Sequence, residues 1–345
     1  MLKLKQENNN DNRKVTYGFL STLFSKLGVF ALLGILIIAG IFISDKFLTV
    51  TNFSNIISAV SLLGIVALGV SFVTYSGHFA DLSVPAIMAA SGMISVANIK
   101  YGIVVSLLSG LLVGLLIGLV NAFVIGKLKA NPIIWTLAFS YIISGYIRWV
   151  YSGNQIYPDV VAPGSPAVEL FYSLFRRNVI GNIPLVVIIM IILAVICYFV
   201  MKKTKFGQQL KLVGSSREVA RMTGINVPAI VGGAFIMSAI GASIGGIFLA
   251  SLSKVGAYYN GAGYDFQAVT AIVIGGMTLA GGRGSILGVV GGVFTLGLLN
   301  NLMTLFSVGG FSIDTFSQNM IRGIVFIIVV GINAKSLRKM GQDDA

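Results

Sequence analysis

The stretch Gly102-Ile103-Val104-Val105-Ser106-Leu107-Leu108-Ser109-Gly110-Leu111-Leu112-Val113-Gly114-Leu115-Leu116-Ile117-Gly118-Leu119-Val120-Asn121-Ala122-Phe123-Val124-Ile125 carries no charged side chain, and Lys127 and Lys129 follow at once. As a helix it reaches about 36 Å at 1.5 Å per residue, enough to cross the roughly 30 Å hydrocarbon core of a bilayer. Gly110, Gly114 and Gly118 fall every fourth position on one stripe, which lets a second helix approach closely. A helix apolar on every face belongs in lipid or in the middle of a large core.

Nine further stretches repeat the pattern. Ten spans are predicted in all, over 27–44, 54–75, 84–98, 102–125, 132–151, 183–201, 228–252, 267–280, 286–306 and 319–333. The third and eighth are short, and Pro85 and Gly275–Gly276 permit broken or re-entrant segments there. Small-residue ladders recur at Gly241 and Gly245, and at Gly284, Gly288 and Gly292. Composition agrees with a membrane protein. Of 345 residues 56% are hydrophobic and only 10% charged, where soluble domains carry about 25% charged. The expected fold is all-α and polytopic, with a transmembrane domain over 27–333 between tails at 1–26 and 334–345.

Charge orients the chain. With the N-terminus inside and the spans alternating, seventeen of the 24 lysines and arginines fall in cytoplasmic segments. Five fall outside, and Arg148 and Arg322 lie within spans near their ends, where they are expected to snorkel. Both termini read as cytoplasmic, and the net charge of +13 reflects this asymmetry rather than a nucleic-acid partner. The external connection 152–182 and the cytoplasmic connection 202–227 are long. Within the second, Ser215–Met222 reads as a short helix that Gly224 stops, a natural docking element for a cytoplasmic partner.

Catalytic chemistry finds no foothold. The chain has one cysteine, Cys197, and one histidine, His78, so neither a disulfide nor a Cys-rich metal site is expected. Paired carboxylates, a nucleophile elbow and a P-loop are all missing; Gly281-Gly282-Arg283-Gly284-Ser285 lacks the P-loop lysine. Energy for uphill transport must therefore enter through a partner or an ion. Asp81 and Asp265 sit only at span edges, which weakens an ion-coupled carrier but leaves it as an alternative.

Several stretches resemble permease subunits of bacterial ATP-binding-cassette importers for monosaccharides, the ribose, xylose, arabinose and galactose group, with branched-chain amino acid permeases more distant. They are Phe47 to Ile56, Asp81-Leu82-Ser83-Val84, Asn121 to Lys129 with Asn131 to Leu137, Thr204-Lys205-Phe206-Gly207, Arg217 to Val227, Gly261 to Asp265, Ile274 to Gly284, and Leu298 to Asn301. Where such permeases commonly read Gly-Gly-Ile-Asp-Leu-Ser, this chain has Ser76 to Ser83 with extra residues and Pro85 after them. The resemblance implies a multi-pass protein of the bacterial inner membrane, pairing as a homo- or heterodimer of permease subunits. It implies ATPase partners that bind the ATP and Mg, and a periplasmic or lipid-anchored binding protein outside. Autoinducer or branched-chain amino acid uptake by the same architecture remains an alternative.

Candidate residues follow, each with two readings. Arg217, Glu218, Ala220, Arg221, Gly224, Ile225 and Asn226 form the segment that the resemblance makes the coupling element for the ATPase; otherwise it is a solvated face. Asp81 and Ser83 are helix caps or pathway and gating groups. Asn121, Asn300 and Asn301 are interhelical hydrogen-bonding groups or a polar lining for a sugar. Tyr258, Tyr259, Tyr264 and Asp265 belong to an aromatic belt or to a contact with the binding protein. His78 reads as a satisfied interfacial histidine.

Overall fold

The computed structural model describes residues 29–343 apart from 176, 181–182 and 309–310. The predicted tail 1–26 and Arg176 lie outside the described residues. Among the described residues, six helices are long and apolar enough to cross a membrane: α2 (Val50–Tyr75), α4 (Ile103–Asn121, continued by a wider π-turn over Ala122–Lys127), α5 (Pro132–Val150), α8 (Leu185–Lys203), α11 (Val227–Ser253) and α13 (Ile286–Leu305). Shorter apolar helices are α1 (Val29–Ile43), α3 (Val84–Ala97), α12 (Tyr264–Ile274) and the Phe316–Gly331 part of α14 (Thr315–Asp343). Together they occupy the ten predicted positions, and the chain is a multi-pass membrane protein. The helix of α14 runs on past 333 into the segment predicted as a tail. Two short helices, α6 (Pro158–Val161) and α7 (Pro166–Ser173), lie in the 152–182 connection, and among the described residues strands are confined to two small hairpins, Asn178–Ile180 with Ile183–Pro184 and Ser307–Val308 with Phe311–Ser312.

Burial separates a centre from a perimeter. In α2, 89% of the apolar window is enclosed, and α11 packs along it on one side with α13, α8 and α12 around the rest. In α4, α5 and α8 the share is 22%, 17% and 22%, so these helices turn apolar flanks outward. Glycines set the close crossings, as their spacing predicted. A β-carbon on Gly118 would lie 2.6 Å from that of Ala239, and one on Gly114 would strike Ser243, so α4 and α11 meet backbone to backbone. Gly288 and Gly292 bring α13 against Gly275 and Ala271. Gly284 does not belong to that ladder. It lies in the loop before α13 with φ +139°, a conformation that needs glycine.

The connections sort by side. At one end Gly282 N donates to Tyr75 O (3.0 Å) and the Tyr75 hydroxyl donates to Gly284 O (2.9 Å). At the other, Ile156 and Gly256 exchange backbone hydrogen bonds of 2.9 and 2.8 Å. Loops that alternation placed on one side therefore gather together. The first of these is the lysine- and arginine-rich end, expected inside.

The two short helices begin deep in the bundle. Chain 76–83 is non-helical and runs inward until Asp81 reaches Ser238, eleven residues into α11. Chain 256–263 descends from the opposite end, and Gly261 packs against Pro85 O and Met88 at the start of α3. The two broken segments thus meet between the ends of the bundle, covered by protein as such backbone must be. The connection 202–227 holds two helices rather than one, α9 (Lys205–Ser215) and α10 (Arg217–Met222). Leu210 and Val213 bury one face of α9.

Candidate functional site

Amide side chains converge at the end opposite the basic one. Asn52 on α2 and Asn301 on α13 exchange hydrogen bonds: Asn52 Nδ2 donates to Asn301 Oδ1 (3.2 Å), and Asn301 Nδ2 donates to Asn52 Oδ1 (2.8 Å). Arg322 on α14 does not snorkel. Its Nε donates to Asn300 Oδ1 (2.8 Å), Nη1 to Asn319 Oδ1 (2.8 Å) and Nη2 to Gln318 Oε1 (3.2 Å). Asn52, Asn300, Asn301, Gln318 and Arg322 line a cavity of about 480 Å³ with Asn55, Leu63, Tyr264, Gln267 and Thr304. Leu63 is eleven residues along α2 from Asn52, so the cavity penetrates about 16 Å. Gln267 and Arg322 join it to a second space bounded by Ala262, Gly263, Thr270 and Asn319, at the N-terminus of α12. Among the described residues no carboxylate lines either space.

Asn300 and Asn301 both line this cavity. Sequence reasoning missed Asn52, Asn55, Gln267, Gln318 and the inward role of Arg322. The signal was available for the four amides, since each lies in or at the edge of an apolar run, the criterion that selected Asn121.

Asp81, Ser83 and Asn121 come together elsewhere, in a sealed cluster. Asp81 Oδ1 accepts from Ser83 N (3.0 Å) and from the Ser83 hydroxyl, and Oδ2 accepts from the Ser238 hydroxyl (2.9 Å). Asn121 Nδ2 donates to Ser83 Oγ (2.9 Å), and Trp135 Nε1 donates to Asn121 Oδ1 (2.9 Å). Leu82 N donates to Thr136 Oγ1 (3.1 Å). Asp81 is 1% exposed, and Ser83 and Asn121 are fully enclosed. Ser83 makes no side-chain cap on α3, so the cluster is a cross-tie between the 76–83 segment, α4, α5 and α11.

On the 202–227 connection, Ser216 caps α10 by accepting from Val219 N (3.3 Å). Gly224, at φ +78°, ends it, and Asn226 caps α11 by accepting from Ala229 N (3.2 Å). Ala220 faces inward and is buried, while Ile225 is half-buried. Glu218 and Arg221 are exposed, together with Val219 and the almost bare Met222, an apolar pair at helical spacing that sequence reasoning left out. Arg217 Nη2 is 2.8 Å from His78 Nε2. Arginine can only donate, so Nε2 accepts and Nδ1–H donates to Ser76 Oγ (2.7 Å). Burial, and then the Arg217 charge, push His78 down to about 4.

The remaining four candidates divide. Tyr259 is exposed and accepts from Gln155 Nε2 (2.7 Å), and the Arg148 guanidinium lies 4.2 Å from the Tyr258 ring centre. Tyr264 and Asp265 sit in the first turn of α12, with Tyr264 on the amide-lined cavity.

Residues 52–330 match the branched-chain amino acid transport system / permease component family, and the chain belongs to it. It is 32% identical over 310 residues to the L-arabinose transport system permease protein AraH of Escherichia coli strain K12, covering 89% of this chain and 90% of that one. It is 33% identical over 315 residues to the ribose import permease protein RbsC of Bacillus subtilis strain 168, covering 91% and 94%. With the galactose/methyl galactoside import permease protein MglC of Haemophilus influenzae the identity is 30% over 329 residues, covering 88% and 93%. No solved structure matches.

Proposed function

We propose that this chain is the permease subunit of an ATP-binding-cassette importer that carries a monosaccharide across the bacterial inner membrane. The observation that carries the reading is the inlet lined by Asn52, Asn55, Gln267, Asn300, Asn301 and Arg322. Amides donate and accept at once and so match sugar hydroxyls, and the lack of carboxylates suits a neutral solute better than a cation. Its volume lies within the roughly 300–1,000 Å³ of small-molecule sites. The names of the sugar permeases it resembles support the same substrate class.

In this reading a binding protein outside delivers the sugar near Tyr258 and Tyr259. Partner ATPases, which bind ATP and Mg, grip α10 through Glu218, Val219, Arg221 and Met222. Their closure moves the cap of α11 at Asn226. Ser238, on the same helix, pulls on Asp81 and through it on the 76–83 segment and α3, changing which end of the pathway is open. A second permease subunit completes the transporter. Wild type and Met222→Glu are compared by gentle detergent extraction, mass spectrometry of co-purifying proteins and uptake of labelled monosaccharides. A nucleotide-binding subunit kept by wild type and lost from the variant, with uptake of one sugar, is the expected result. Absence of that subunit, or uptake only of amino acids, would overturn the reading.

A further inference from the structure

We infer that the basic end holds a binding site for the phosphate headgroup of an anionic phospholipid, between the start of α5 and the coupling helix α10. A cavity of about 350 Å³ opens there, lined by Lys129, Arg217, Arg221, His78, Asn131 and Pro228 among others, with no carboxylate in its wall. Three basic side chains lining one space make it favourable for an anion. His78 accepts from Arg217 and so turns the guanidinium toward the cavity with its other donors unspent on the ring. Lys129 is held in place by a left-handed backbone (φ 58°) just after the π-turn that ends α4. The N-termini of α5 and α11 both border the space, adding their positive ends.

The rim decides between a lipid and a soluble anion. Leu128 (60% exposed) adjoins Lys129 in the chain, Ile133 and Ile134 (68% exposed) follow the cavity-lining Asn131 and Pro132, and with Phe123 they are exposed apolar side chains at this end of the bundle. Acyl chains can lie against that surface while the headgroup enters the basic space, the arrangement expected of basic pockets between transmembrane helices. Because Arg217 and Arg221 belong to α10, an occupied site would hold the coupling helix against the membrane face of α5. This inference needs only that the chain spans a membrane, not the identity of the transported solute.

The test uses the full-length protein in nanodiscs of phosphatidylcholine with and without phosphatidylglycerol, read by native mass spectrometry for retained lipid and by thermal melts. Wild type and Lys254→Gln, a cation at the opposite end, should retain phosphatidylglycerol. Lys129→Gln should retain it about fivefold less well, and Lys129→Gln with Arg221→Gln about 25-fold less well. Lys129 is exposed, so the single variant should melt like wild type in phosphatidylcholine alone. Equal retention by wild type and the single variant would overturn the site. So would inorganic phosphate in pure phosphatidylcholine discs raising the melting temperature as far as phosphatidylglycerol does, since a soluble anion would then be the occupant.

Discussion

Asp81 shows how an ionisable side chain is accommodated inside an apolar bundle. Three donors surround its two oxygens, and two of them come from Ser83, two residues away. The third, Ser238, is the one that reaches across to α11. Ser238→Ala should cost about 1–3 kcal/mol, because a buried carboxyl oxygen loses its partner. A melt in detergent checks it, and loss of transport out of proportion to loss of fold would mark the tie as part of the moving machinery. His78 supplies a pH prediction. Its folded value near 4 lies below its ordinary 6.5, so between those values the unfolded chain takes up a proton that the folded chain refuses. Stability therefore rises with pH through that window, and acidification from pH 7 to 5 should remove about 2 kcal/mol. Arg217, Lys129 and Arg221 share its cavity. His78→Gln should flatten the slope, as melts at the two pH values would show. Arg322→Gln leaves Asn300, Asn319 and Gln318 without their common donor, and uptake should fall about tenfold or more at unchanged protein level.

At the scale of elements, glycine crossings decide which helices tolerate change. A β-carbon on Gly246 would run into the backbone of Met88, so Gly246→Val should drive α11 off α3 and abolish accumulation of folded protein. Gly145 on α5 and Gly323 on α14 have nothing within 4 Å, and alanine there should be silent in the same expression assay. The helices themselves were readable because lipid demands long apolar runs, which announce themselves without any knowledge of neighbours. The ladders at Gly110–Gly118 and Gly241–Gly245 were readable for the same reason, as spacing on one face. What the sequence did not disclose was depth. That Asp81 sits level with Ser238 depends on the extended path of 76–83, and no local propensity encodes it. Asn52 pairing with Asn301 likewise joins residues far apart in sequence, and only packing of α2 against α13 brings them together. The α9 helix escaped notice because its polar, basic composition resembles a loop until Leu210 and Val213 are seen buried.

For the whole molecule, α11 starts beside α10 at its cap Asn226, carries Ser238, and packs along α2, whose Asn52, Asn55 and Leu63 line the amide-lined cavity at the opposite end. Such a path predicts that transport follows ATP supply. Uptake in cells should persist when the proton gradient is collapsed with ATP maintained, and should stop when ATP is depleted; the opposite pattern would identify an ion-coupled carrier. The short helices carry a further consequence, for biosynthesis. With 14 and 11 residues, α3 and α12 reach about 21 and 16 Å, short of the roughly 30 Å that an independently inserting segment must cover. Neither can enter lipid alone as it leaves the ribosome. The start of α3 is roofed by residues that are synthesised much later, around Gly261, and α12 is closed off only when α13 arrives. The growing chain must therefore hold two unfinished segments in a sheltered place until their later neighbours are made, so the final closure of the bundle comes near the end of translation.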